Sequence, residues 1–278
     1  MYGGASSNAV RSEDGVGGQC EVLFDMSLRR SPAGKKRSVM RRIPLPGVFK
    51  PLSDSHMLAD QIARDPLADG ARVLDLCAGS GVLAIAAARA GAVEVTAIDV
   101  SLRAVIATWV NARLNGVTVR ALRGDLFEPV RDECFDLIVS NPPYIPSAGD
   151  QLPERGPRRA LDAGTRGRAF LDRICAAARD HLNPGGAVLL IHSSICSERA
   201  TIDAMRGGGL EARTVFRRRG PLGPVLSARA SMLRNRGLLA AEDSEEIVIV
   251  RGVRVSEPVA VTPAVLSAGK RVSTRQAD

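Results

Sequence analysis

Asn141-Pro142-Pro143-Tyr144 is the stretch of this 278-residue chain whose residue types and spacing could carry out specific chemistry. A carboxamide has both a donor and an acceptor, so Asn141 can pair with a flat nitrogen group. Pro142 leaves its carbonyl free while its ring fixes the turn, Pro143 extends that rigidity, and Tyr144 can lie against a planar partner. A planar amide nitrogen is a poor nucleophile because its lone pair is delocalised. Catalysis on such an atom rests mainly on holding it at attack distance and angle. Pro-Pro also marks ordinary rigid turns, so the position of this run in the fold matters as much as its composition.

A second constellation precedes it. Val73-Leu74-Asp75-Leu76-Cys77-Ala78-Gly79-Ser80-Gly81-Val82-Leu83-Ala84 combines a buried strand, a turn of small residues and the start of an Ala-rich helix. Its glycines permit close backbone approach, and the first helical turn offers unpaired N–H groups, so a nucleoside-type cofactor belongs there. The loop alone leaves the cofactor open, because Gly79 to Ala84 also satisfies the GxGxxA dinucleotide pattern and Asp99 stands where a ribose-binding acid belongs. Two details lean towards a sulfonium cofactor. Asp75 would favour its cationic amino-acid end, and Asp125 closes the third strand, where it could bond an adenine amine.

These residues need elements to position them. Short β-rich runs alternate with amphipathic or Ala-rich stretches, which predicts an α/β domain: a doubly wound, Rossmann-like parallel sheet with helices on both faces. Seven strands are expected, at Arg72 to Cys77, Glu94 to Val100, Val117 to Gly124, Phe135 to Ser140, Ala187 to Ser193, Arg213 to Arg217 and Glu246 to Arg251. One helix places Leu102, Val105, Ile106 and Trp109 at helical spacing, with Ser101 as its cap and Asn115-Gly116 as its left-handed stop; Trp109 is expected in the core. Another puts Phe170, Leu171, Ile174, Cys175, Ala178 and Leu182 on one face, before Asn183-Pro184-Gly185-Gly186. Residues 1–40 and 256–278 are expected to be flexible tails around a domain at 41–255.

Composition narrows the classes. The net charge of +8 comes almost wholly from arginine, with lysine only at 35, 36, 50 and 270, so it could reflect coding bias as readily as an anionic partner. Cys20, Cys77, Cys134, Cys175 and Cys196 lack metal-ligand or disulfide-framework spacing, which fits a reducing cytoplasm. His56, His181 and His192 are separated, so no metal is expected. No secretory signal and no membrane span is visible. Arg213, Arg217, Arg218, Arg219, Arg229, Arg234 and Arg236 lie in a stretch without acidic residues, either an RNA- or acid-binding rim or a solvated face.

The order Asp75 to Gly81, Asp99, Asp125 and Asn141-Pro142-Pro143-Tyr144 resembles class I S-adenosyl-L-methionine-dependent methyltransferases with the NPPY motif. It is most similar to the HemK-like protein-glutamine methyltransferases that modify peptide-chain release factors. The resemblance covers roughly residues 46 to 252. It implies S-adenosyl-L-methionine as cofactor, with Ser55, Asp75, Cys77, Gly79, Gly81, Asp99, Val100, Asp125, Leu126 and Asn141 as the candidate cofactor-binding set. Asn141, Pro142 and Tyr144 become the candidate catalytic residues, and Pro143 joins them in binding substrate. The segment Gly47 to Ser55 resembles the family's segment before the first helix, in which Ser55 would touch the cofactor. Cys77 departs from the usual glycine and is expected to contact ligand by backbone only.

Arg166-Gly167-Arg168 and Gly220-Pro221-Leu222 resemble the short archaeal and eukaryotic branch, whose members commonly work with a small activating partner. The helical docking domain of bacterial-type members is not expected here. Three other readings stay open: methylation of an adenine amine in DNA or RNA, methylation of a small molecule, and a non-catalytic S-adenosylmethionine- or RNA-binding protein.

Overall fold

The structure is a computed structural model that describes residues 40–48, 51, 53–240 and 243–256. The expected tails, apart from Met40 and Ser256, lie outside the described residues, as do Phe49, Lys50 and Leu52 of the segment before the first helix. Seven strands form: β1 (Arg72–Leu76), β2 (Glu94–Asp99), β3 (Arg120–Arg123), β4 (Phe135–Ser140), β5 (Leu182–Ser193), β6 (Glu211–Pro221) and β7 (Ser244–Val253). The helices are α1 (Ser53–Ile62), α2 (Val82–Ala90), α3 (Leu102–Leu114), α4 (Ala169–Ala177), α5 (Glu198–Gly207), α6 (Pro224–Ala228) and α7 (Ala230–Asn235).

Successive residues of the central strands serve opposite layers, as a sheet covered on both faces requires. Leu74, Ile138 and Leu190 join one cluster with Leu171 and Ile174 of α4. Val73, Leu137 and Leu189 join another with Leu58 of α1 and Leu83 and Ile85 of α2. Burying a side chain of this size stabilises the fold by about 1.5–3 kcal/mol, so the two clusters hold the layers together.

The strand order is β3-β2-β1-β4-β5-β7-β6. Its direction reverses between β1 and β4, where the helices leaving adjacent strands go to opposite faces and a crevice opens at the carboxyl ends. Both chemical constellations sit at that crevice, the glycine loop after β1 and Asn141 after β4.

The sequence predicts a parallel sheet, but β7 runs antiparallel to both β5 and β6. β6 and β7 are consecutive, and an antiparallel ladder lets consecutive strands pair without a crossover back across the sheet. β5 also starts earlier than expected. Leu182 begins the strand rather than ending the preceding helix, and Asn183 to Gly186 belong to it.

The largest departure is in α3. Its apolar stripe faces out, with Leu102 at 53%, Ile106 at 46% and Trp109 at 52% exposure. Trp109 is therefore not core; the Arg113 guanidinium lies over its ring. The helix buries Ala104, Ala107, Thr108, Asn111 and Ala112 instead. The reason is polar: Thr108 Oγ1 donates to the Gly79 carbonyl at 3.2 Å, and Asn111 Nδ2 donates to the Ser80 carbonyl at 3.0 Å. Turning the apolar stripe inward would leave these two loop carbonyls without those donors. Ser101 precedes the helix without a side-chain capping bond, and Gly116 rather than Asn115 takes the left-handed conformation at its end.

Candidate active site

The glycine loop is held through its backbone groups by side chains around it. Gly79 N donates to Asp99 Oδ2 at 2.9 Å, and Ser101 N donates to Asp99 Oδ1 at 2.8 Å. One carboxylate thus ties the ends of β1 and β2 together. Burial pushes its pKa up, against these two N–H bonds, which favour the charged form. Gly81 has φ 81°, and a Cβ there would come within 2.9 Å of Thr108 Cγ2, so conformation and space both demand glycine. Cys77 takes φ 59° without being glycine, which costs about 1–2 kcal/mol. Its thiol pKa is raised, chiefly by burial and then by the charge of Asp99.

A cleft of about 1690 Å³ runs from this loop past Asn141-Pro142-Pro143-Tyr144 to the end of β6. Ser55, Cys77, Gly79, Asp99, Val100, Asp125, Leu126, Asn141, Pro142, Pro143 and Tyr144 all line it. Two expected contacts are not on its lining. Gly81 packs behind the loop on Thr108. Asp75 is fully buried, and its Oδ2 accepts from Ala84 N at 2.9 Å in the first turn of α2, where the helix dipole favours a negative group. Its Oδ1 has no partner. Burial pushes its pKa up to about 8, the Ala84 bond opposing and the charge of Asp99 adding to the shift.

Asp125, expected to face an adenine amine, is paired with Arg173 of α4, whose two terminal nitrogens lie 2.7 and 3.3 Å from its oxygens. A carboxylate accepts several bonds, so this pairing leaves lone pairs towards the cleft.

The acceptor side contains a residue that sequence reasoning missed. Asp54, in the first turn of α1 and nearly buried, accepts from Ser55 N at 2.7 Å on Oδ1. Its Oδ2 accepts from Asn141 Nδ2 at 3.0 Å and from the Tyr144 hydroxyl at 2.8 Å. Asn141 Nδ2 donates further to Ser55 Oγ at 2.9 Å. A carboxylate only accepts, so Asn141 must turn its NH2 towards Asp54, which leaves its carbonyl oxygen for another group. The Tyr144 hydroxyl pKa is raised well above its usual value, first by burial and then by the charge of Asp54, so it stays a donor.

The turn is braced from below. The Cys196 thiol donates to the Tyr144 carbonyl at 2.8 Å, and a Cβ on Gly167 would fall 2.4 Å from that same oxygen. Gly167, at φ 70°, therefore lets its segment pass beneath the turn. Arg168 beside it donates to the Cys196 and Ser197 carbonyls and to Thr201 Oγ1.

The arginine-rich stretch is largely engaged within the protein rather than forming a free basic rim. Arg217 pairs with Glu198 and Glu246, Arg229 with Asp162, and Arg234 with Asp243. Arg236 donates to the carbonyls of Ser147, Ala148 and Thr165. Arg219 donates to Ser244 Oγ, and Arg218 lines the cleft. Among the described residues no His, Cys, Asp and Glu group is arranged to hold a metal, and no helix is long and apolar enough to cross a membrane.

Residues 44–152 match the family model described as the methyltransferase small domain. A protein of Methanocaldococcus jannaschii, named provisionally a protein N5-glutamine methyltransferase, is 32% identical over 185 residues, covering 66% of this chain and 92% of that one. The chain belongs to the HemK-like family of S-adenosylmethionine-dependent glutamine methyltransferases. The release factor glutamine methyltransferase of Geobacter sulfurreducens is 40% identical over 152 residues, which are 52% of this chain and 53% of that one. The chain thus spans about half the length of that bacterial relative. The same fold is present in a chain from the Mtq2–Trm112 complex of E. cuniculi, at a TM-score of 0.52 and 21% identity over 75% of this chain and 99% of that one.

The family's cofactor fits the lining. The strand-end carboxylates Asp99 and Asp125 and the Ser55 hydroxyl would hold its nucleoside and amino-acid parts, since the N–H groups of Ala78, Gly79 and Gly81 are already donated within the protein. S-adenosylmethionine supplies a methyl group already activated on a sulfonium, for which no metal is needed.

Proposed function

We propose that this protein methylates the side-chain amide nitrogen of a glutamine in a protein, with a peptide-chain release factor as the first substrate to test. The observation that carries this reading is the fixed orientation of Asn141. Asp54 and Ser55 both take its NH2, so its Oδ1 is left to accept one N–H of a flat acceptor. Pro142 has no N–H of its own to compete, and its carbonyl can accept the second. An amide nitrogen held by both hydrogens presents its face to the methyl carbon, which is the alignment that a weak nucleophile requires. Tyr144 closes the far side and remains protonated, so it shapes the site and does not act as a base. Methyl transfer would break the sulfonium carbon–sulfur bond and leave the cofactor as its neutral thioether, S-adenosylhomocysteine, while the acceptor nitrogen would release one proton to solvent.

The name of the Geobacter relative supports a release factor as substrate, and a cytoplasmic setting fits the free thiols Cys77, Cys134, Cys175 and Cys196. We further propose, from the family resemblance, a small activating partner; turnover by the purified chain equal to that with added lysate would remove the need for one.

The test is to incubate purified protein with labelled S-adenosylmethionine and separate pools of release factor, RNA, DNA and small molecules. Label on one glutamine of the release factor, located by mass spectrometry, is the expected result. Label confined to nucleic acid or to small molecules would overturn the reading.

A further inference from the structure

Glu245 of β7 pairs with Gly220 of β6, and Ile247 pairs with Arg218 two residues along the same ladder. Directly opposed residues of antiparallel strands, and those two further on, share one face. All four line the cleft, at the end away from the glycine loop. Glu245 lies close enough to Tyr144 for its charge to help raise the hydroxyl pKa there.

Its carboxylate is held and yet incomplete. Gly223 N donates to Oε1 at 2.9 Å. Oε2 has no hydrogen-bond partner, although the residue is only 8% exposed. Buried acceptors are seldom left without a donor, so a water, an ion or a ligand completes the shell of this one. The neighbouring position leaves room beside the residue: Gly220 has no side chain, and a Cβ there would meet nothing within 4 Å.

We propose that Glu245 is a docking contact for the polypeptide that carries the methylated glutamine, its Oε2 accepting a hydrogen bond from a main-chain N–H beside that residue. This rests on the glutamine reading above. A neutral donor suits the site better than a cationic side chain. Arg218 shares the face with Glu245, and Arg155 and Arg159 line the same cleft, so an incoming cation meets repulsion that a peptide N–H does not. The contact fixes where the chain lies and leaves alignment of the amide to Asn141. Glu245 is therefore a substrate-binding residue with no part in the methyl transfer itself.

The experiment uses a release-factor peptide containing the glutamine labelled by the enzyme, and a series in which each flanking main-chain nitrogen in turn carries a methyl group. In Glu245→Gln the amide carbonyl can keep the Gly223 bond, so the NH2 faces the substrate and the acceptor is lost without loosening the turn. For both Glu245→Gln and Glu245→Ala, peptide KM is expected to rise about tenfold, in line with loss of a charge-assisted hydrogen bond. Both kcat and the cofactor Kd should stay at wild-type values. One N-methylated peptide should lose a similar factor with the wild type and nothing further with Glu245→Gln. Unchanged KM in both variants, or a series that affects wild type and Glu245→Gln alike at every position, would overturn the contact while leaving the glutamine reading intact. A wild type that turns over no glutamine peptide or protein would remove both.

Discussion

The two halves of the cleft are built differently. The cofactor half is a more local object: Cys77 to Gly81 follow β1 directly, and their backbone groups are bonded by Asp99 at the end of the next strand and by Thr108 and Asn111 of the helix after it. The acceptor half is assembled by side chains from remote parts of the chain. Asp54 reaches Asn141 and Tyr144 across 87 and 90 residues of sequence, and Gly167 and Cys196 support the turn from elsewhere again. Backbone geometry gives tolerance of side-chain identity in the first half, as the cysteine at position 77 illustrates. Side-chain geometry gives discrimination in the second, because each donor has one acceptor to serve.

That division predicts a split between affinity and turnover. Asn141→Ala should lower kcat by at least about a hundredfold through loss of positioning while the cofactor Kd stays near wild type. Asp99→Ala should do the reverse, weakening cofactor affinity in calorimetry while sparing any turnover at saturating cofactor. Near-normal turnover in the first variant, or an unchanged Kd in the second, would abolish the distinction between the halves.

Asp54→Asn tests the acceptor half more finely. The new NH2 competes with that of Asn141, so the Asn141 amide loses its enforced orientation. We expect kcat to fall about tenfold with cofactor Kd unchanged, again a loss of alignment. A kcat equal to wild type would show that Asn141 holds its orientation without the carboxylate.

The cofactor half carries a pH dependence. Asp75, with its pKa pushed up to about 8 by burial, keeps its proton in the folded state where an unfolded carboxyl near 3.8 has lost it. Between these values the folded state binds more protons, so the ligand-free protein loses stability as pH rises through that window and levels off above about pH 8. Asp75→Asn keeps an acceptor for Ala84 N and removes the titration. The melting temperature of the wild type, measured against Asp75→Asn, should therefore decline from pH 5 to 8, by no more than ~1.4 kcal/mol of stability per pH unit. A constant difference would contradict the assignment.

The smallest effect concerns Cys77. Replacing it with glycine relieves a left-handed conformation at the expense of some thiol packing, for a net gain of ~1 kcal/mol and a rise in Tm of roughly 2–4 °C. A fall in Tm would mean that the thiol packing outweighs the backbone cost.

Much of the fold was legible because the central strands are continuous apolar runs ending in small or polar residues. Phe135 to Ser140 has the bounds expected of it, and the motifs fall at one edge of the sheet because parallel strands end there together. The orientation of α3 was not legible. Periodicity reports that a helix has two faces, but Thr108 and Asn111, bonded to loop carbonyls, decide which face turns inward. Asp54 was invisible for a related reason, since its meaning lies in donors that only the folded chain brings to it. The bond from Ala84 N to Asp75 was not legible either, since a carboxylate beside a cofactor loop reads as a ligand contact whether or not it also serves the following helix.

The most direct measurement is a structure of the protein with S-adenosylhomocysteine and a glutamine-containing release-factor peptide. The account predicts the glutamine nitrogen within hydrogen-bond reach of Asn141 Oδ1 and the Pro142 carbonyl, with Asn141 Nδ2 still on Asp54. A 141–144 turn facing away from the bound nucleoside, or a glutamine amide bonded to other groups, would contradict it.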